Sequence, residues 1–143
     1  MSAQRRVAVF YSHGPHFQRA LAYAREQWAG AEVVAVVPPT FPRGRIREGC
    51  DRIVTTERAR YGTGDLGAVR RLARQLRAER PDVFITMFPS LRQRLLAWAS
   101  GAPERWCVLA NGEVARLRVA PVQAVAAALL RRIRGELTYA RIW

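Results

Sequence analysis

The strongest constraint on this chain is the run from Pro81 to Trp98, Pro-Asp-Val-Phe-Ile-Thr-Met-Phe-Pro-Ser-Leu-Arg-Gln-Arg-Leu-Leu-Ala-Trp. Asp82 to Met87 is nearly continuous in β-branched and aromatic residues, which predicts a strand covered on both faces. Pro89 has no N–H to donate, so the ladder stops there. Ser90 is then placed to cap a helix from Leu91 to Ala99 through its side-chain oxygen. That is one strand-loop-helix unit of a parallel sheet. In such sheets ligands gather at the carboxyl ends of the strands, where helix N-termini present unpaired N–H groups.

The same alternation runs through the rest of the chain. Arg6 to Tyr11 reads as a first strand, Ser12-His-Gly-Pro-His16 as its turn, and Phe17 to Trp28 as a helix with Phe17, Leu21, Ala24 and Trp28 on one face. Gly30 stands where helices commonly end. Glu32 to Val37 and Arg52 to Thr55 read as further strands. Asp65 to Glu79 is the clearest helix, with Leu66, Val69, Leu72, Ala73 and Leu76 inward and Arg70, Arg71, Arg74 and Arg77 outward. Arg105 to Leu109 is a fifth strand, and Pro121 to Arg134 a last helix packed by default on the sheet. Strands alternating with helices require right-handed crossovers. The expectation is a single α/β domain over residues 1–143, a three-layer, Rossmann-like sandwich with a mainly parallel sheet of about five strands.

Charge narrows the partners. The formal net charge is +13, and all 24 basic residues are arginine. Codon bias in a GC-rich genome accounts for arginine over lysine, and bidentate recognition of phosphates is the functional alternative. Neither removes the excess over 11 acidic residues, which predicts attraction to a polyanion: nucleic acid, anionic lipid or a phosphorylated ligand. Cys50 and Cys107 lie far apart, without metal-site spacing, and read as buried thiols in a reducing compartment. No cofactor motif is present: the first turn is neither GxGxxG nor a Walker loop. The N-terminus does not fit a signal peptide, and Val119 to Leu130 is too short to span a bilayer. The chain is therefore expected in the cytoplasm, at most attached peripherally to a membrane.

The candidate site residues follow from the strand ends. Ser12, His13, Gly14 and His16 occupy the first strand-helix turn, where Gly14 permits close backbone approach and either histidine suits a general base or a phosphate contact. Ser90, with Arg92 and Arg94 nearby, offers a second anion or hydroxyl contact, against the plainer reading of a helix cap beside solvated arginines. Asn111-Gly112-Glu113 is a ligand loop or simply a tight turn. Glu113 is the one acidic residue in these loops and the spare candidate for acid-base work. The Arg70, Arg71, Arg74 and Arg77 stripe is a solvated helix face or a nucleic-acid surface without interleaved aromatics. The last helix, apolar on one side with Arg131, Arg132 and Arg134 near its end, has an anionic membrane as its alternative partner.

From Phe88 to Ala102, with Arg105 and Ala110-Asn-Gly-Glu113 following, the sequence resembles the N-terminal, acceptor-side domain of GT-B glycosyltransferases of the heptosyltransferase type. The resemblance lies in a strand ending in a small loop, a Leu- and Arg-rich helix, and a Ser-Gly-Ala turn into the next strand. Such enzymes carry two Rossmann-like domains, with the nucleotide-sugar mainly in the C-terminal one, which has no counterpart here. Their first strand is commonly followed by a Gly-rich loop with a catalytic Asp; here His13 or His16 stands in a turn without a carboxylate. The resemblance implies a half-enzyme that binds a sugar or lipid-phosphate acceptor and needs a second domain or chain. A piece of a longer protein, a basic nucleic-acid module and a stand-alone domain for a small phosphorylated ligand are the alternatives.

Overall fold

The computed structural model describes residues 4–11, 16–41, 49–58, 61, 64–87, 91–109, 111–117, 126 and 129–134. In chain order they form β1 (Arg6–Phe10), α1 (His16–Gln27), β2 (Glu32–Val37), β3 (Arg52–Thr55), α2 (Leu66–Ala78), β4 (Val83–Met87), α3 (Leu91–Ala99), β5 (Glu104–Val108) and β6 (Val114–Arg116). The sheet order is β3-β2-β1-β4-β5-β6. Every pairing is parallel except the last, in which β6 runs antiparallel to β5. The sheet thus has six strands rather than about five. The extra one is three residues long, too short for any period-2 pattern to announce.

Alternation along the strands divides the core between two helical layers. Val7, Val9, Val83, Ile85 and Met87 face α1, which contributes Phe17, Ala20, Leu21 and Ala24. Ala8, Val36 and Phe84 face the opposite way, against Leu72 and Leu76 of α2 and Ala97 of α3. Phe17, Leu21, Leu76 and Phe84 are at most 1% exposed, and full burial of such a side chain stabilises by about 1.5–3 kcal/mol. Every face of β4 is buried, which is why its sequence is an unbroken apolar run rather than an alternation.

Three local expectations need correction. The buried stripe of α2 is Ala68, Leu72 and Leu76; Leu66 and Val69 stand off it and are exposed. The fifth strand begins one residue early, at Glu104, and Tyr11 lies just outside β1 although its N–H still donates to the Val36 carbonyl at 2.9 Å. In the last helix, Leu129, Leu130 and Ile133 are all more than half exposed, so these three do not pack on the sheet. Its Val119 and Val122, with the start of the segment, lie outside the described residues.

The amino ends of the strands are closed by ion pairs. Glu32, opening β2, accepts from Arg6 at 2.8 Å and from Arg52 at 3.1 Å. Arg52 also pairs with Glu79, whose carbonyl accepts from Arg6. Asp51 takes both Arg25 nitrogens and the Val33 N–H at 2.8 Å. Asp82 accepts the Arg6 N–H at 2.9 Å. The arginine hydrogen bonds hold the carboxyls of Glu32 and Asp51 below the ordinary carboxylate range, the Val33 N–H adding to the effect on Asp51.

Candidate functional site

The order of strands reverses between β1 and β4. After β1 the chain moves outward to β2 and β3, then returns past β1 to build β4 and β5 on the other side. α1 and α3, which follow β1 and β4, therefore pack on opposite faces of the sheet, and in sheets of this kind ligands bind at the carboxyl ends of the strands where the order reverses. α1 and α3 begin there, at His16 and Leu91. Helix N-termini carry orphan N–H groups and the positive end of the macrodipole, and both favour an anion.

Of the residues expected at this edge, Ser12, His13, Gly14 and Ser90 lie outside the described residues. His16 is half-buried at the first position of α1, with its Nδ1 shielded from solvent. Arg92 is exposed on the first turn of α3. Asn111 and Glu113 sit across the edge in the hairpin that joins β5 to β6. There the Gly112 N–H donates to the Leu109 carbonyl at 2.9 Å, and the Leu109 N–H donates to the Glu113 carbonyl at 2.7 Å. Gly112 takes φ 86, which a side chain would resist. Asn111 Oδ1 accepts the Glu113 N–H at 3.0 Å, an Asx turn that commits its oxygen to the loop. The Glu113 side chain is exposed, and it makes no ion pair among the described residues.

Two further arginines join this edge: Arg94, which the sequence placed near Ser90, and Arg19, which was not among the expected site residues. Arg19 of α1 reaches across to the hairpin, where a Cβ added to Gly112 would stand 3.1 Å from its Nη1. Arg94 of α3 is half-buried, and its Nε is enclosed without a hydrogen-bond partner. Its charge is felt at the buried Cys107 thiol of β5, where it opposes the upward push of burial. The sequence held a signal for Arg94: it precedes the buried Ala97 by three residues, hence shares its helix face. Arg92 does not. For Arg19 there was none, because its approach to Gly112 is purely tertiary.

Cys107 and Cys50 are both buried free thiols, as the sequence suggested. Burial raises both pKa values and keeps them protonated, so neither is an activated nucleophile. At the outer flank the edge is neutralised: Arg58 pairs with Asp65, which caps α2 through the Ala68 N–H at 3.0 Å, and Arg71 pairs with Glu57 at 2.9 Å. Around β1, β4 and β5 the balance differs. Arg19, Arg92 and Arg94 make no ion pair among the described residues, and Glu113 is the one described carboxylate there.

This arrangement is similar in fold to two solved glycosyltransferase structures. One is the E. coli ADP-heptose lipopolysaccharide heptosyltransferase II, at 18% identity and a TM-score of 0.53 over 71% of this chain. The other is a glycosyl transferase family 9 protein from Veillonella parvula DSM 2008, at 18% identity and a TM-score of 0.55 over 73% of this chain. The partial, heptosyltransferase-like resemblance read in the sequence is thus present in the fold. The matched region spans 30% and 32% of those two chains. No sequence-family profile and no curated protein matches the chain. No helix among the described residues is long and apolar enough to cross a membrane.

Proposed function

We propose that this chain is the acceptor-binding domain of a glycosyltransferase, taking a sugar or lipid-phosphate acceptor in the crevice between the carboxyl ends of β1 and β4. The observation that carries the reading is the excess of arginine at that crevice. Arg19, Arg92 and Arg94 surround it without matched carboxylates, on a fold similar to glycosyltransferases of family 9. Arg94, half-buried with its Nε enclosed, fixes a phosphate with charge-assisted hydrogen bonds. Arg92 and Ser90 extend the contact at the start of α3, and Ser12, Gly14 and Asn111 line its rim. His13 or His16 takes the proton from the acceptor hydroxyl as its oxygen attacks the anomeric carbon of the nucleotide-sugar, whose bond to the nucleotide phosphate breaks so that the nucleotide leaves with the electron pair; Glu113 is the alternative base. The nucleotide-sugar is supplied by a second domain or chain, so this domain transfers nothing alone.

Calorimetric titration with pyrophosphate, a minimal mimic of the charged group, tests the assignment. Arg94→Gln is expected to weaken binding roughly tenfold to a hundredfold, the range for one charge-assisted hydrogen bond. His13→Ala with His16→Ala should abolish transfer by the assembled enzyme while leaving pyrophosphate affinity within a few-fold. Unchanged pyrophosphate binding by Arg94→Gln would overturn the site. The nucleic-acid reading draws less support: in the α2 stripe Arg71 is taken by Glu57, and the Arg77 Nε donates to the Ala99 carbonyl at 2.9 Å. Only Arg70 and Arg74 remain for a polyanion.

A further inference from the structure

Three aromatic rings meet at the carboxyl end of β1. Between centroids, Tyr11 stands 5.2 Å from Phe17 and 4.7 Å from Phe41, and Phe17 stands 5.7 Å from Phe41. Interplanar angles of 82°, 65° and 73° make each contact edge-to-face, an arrangement that ring quadrupoles prefer. Phe17, beside His16 in the first turn of α1, belongs to the core against which the other two pack. Tyr11 and Phe41 are half-buried, so part of each reaches solvent. Their backbones are anchored: the Tyr11 N–H donates to the Val36 carbonyl at 2.9 Å, and the Phe41 N–H to the Pro38 carbonyl at 3.1 Å. No residue from Val36 to Phe41 is charged. A fixed, uncharged aromatic wall thus stands at the ends of β1 and β2. β1 also adjoins β4, on the side where Arg19, Arg92 and Arg94 make no ion pair among the described residues.

We propose that Tyr11 and Phe41 are specificity-determining residues that stack on the ring of a phosphorylated saccharide while the arginines hold its phosphate. The inference rests on the acceptor-site reading above and narrows that acceptor to a sugar phosphate. The negative face of an aromatic ring attracts positively polarised hydrogens. A pyranose offers a row of axial C–H groups on its face and keeps its hydroxyls at the rim. That chemistry matches an amphipathic tyrosine and a phenylalanine beside the exposed Thr40, with no charge among them. A flexible alkyl chain would be served equally well by leucine or valine. Rings locked edge-to-face are already ordered, so a rigid partner gains most from them.

Calorimetric titration of the whole chain with glucosyl phosphate, glycerol phosphate and octyl phosphate separates the contributions, because the three differ only in what the phosphate carries. Glucosyl phosphate is expected to bind roughly threefold to tenfold more tightly than glycerol phosphate, with its ring protons shifted upfield in NMR spectra. Tyr11→Leu with Phe41→Leu keeps apolar packing on Phe17 and removes both rings. It should erase the preference and the upfield shift, while glycerol phosphate, still bound within about twofold, reports an intact fold. Phe41→Leu alone, in a turn outside the sheet, should lose part of the preference, and Tyr11→Phe none. The inference is overturned if glucosyl phosphate binds no more tightly than glycerol phosphate, if the preference survives loss of both rings, or if octyl phosphate binds more tightly than glucosyl phosphate. Pyrophosphate binding that depends on Arg94, with equal affinity for the glucosyl and glycerol esters, would remove the role of the rings and leave the acceptor site standing. Binding of none of these would overturn both.

Discussion

The two edges of the sheet use the same residue type to opposite ends. At the amino edge, Arg6, Arg25 and Arg52 are each matched to Glu32, Asp51 or Glu79. At the carboxyl edge around β1, β4 and β5, Arg19, Arg92 and Arg94 stand without ion pairs among the described residues, and Arg94 holds an enclosed Nε with no partner among them. A chain at +13 must leave arginines unmatched somewhere. With Glu32, Asp51 and Glu79 committed to the strand starts, Arg19, Arg92 and Arg94 are among those left over, near two helix N-termini that already favour an anion. Matched arginines hold strands together, and unmatched ones are available to a ligand.

Four experiments break or sharpen this contrast. The largest effect belongs to neither edge: Phe84→Ala, at the centre of β4, should cost about 3–5 kcal/mol and weaken both edges together, read as the midpoint of denaturant unfolding. Glu32→Gln should cost about 1–2 kcal/mol in the same measurement, because one part-buried carboxylate serves two arginines, yet leave pyrophosphate binding untouched. Equal damage to binding would erase the distinction between the edges. Gly112→Ala should cost about 1 kcal/mol, since φ 86 is strained for any side chain and the new methyl would crowd Arg19; unlike Glu32→Gln, it should also disturb the ligand edge. Smallest is the pH effect. The folded pKa values of Glu32 and Asp51 lie below their unfolded values, so the unfolded chain binds more protons and these groups stabilise fully only above the ordinary carboxylate range. Their contribution fades as pH falls below about 4.5. Thermal melts between pH 3 and 6 should show this slope, and Glu32→Gln should flatten it.

Much of the architecture was legible because local and tertiary signals agreed. β2, β3 and α3 have the boundaries that the sequence indicates; Pro38 marks the end of β2, and Pro89 and Gly101 bracket α3. α2 shows where such reading fails. Leucine and valine at positions 66 and 69 look like core, but the small Ala68 is what lets the helix approach the sheet, and burial follows it to Leu72 and Leu76. β6 escaped because three residues carry no period; only the Asn111-Gly112 turn hinted that the chain doubled back. At the candidate site, the sequence pointed to the carboxyl ends of the strands, and of its residues Ser12, His13, Gly14 and Ser90 lie outside the described ones. It set Arg92 at the edge of the site and Arg94 only nearby, because proximity to Ser90 is visible in one dimension and the reach of the Arg94 charge to Cys107 of β5 is not.

The most direct test of the account is where an anion binds. Amide chemical shifts of the isotopically labelled chain, followed through a pyrophosphate titration, report this residue by residue. The account predicts saturable shifts concentrated on Tyr11, His16, Met87, Leu91 to Arg94 and Asn111 to Glu113. Shifts confined to the Arg70 and Arg74 face or to the amino edge, or none at all, would contradict it.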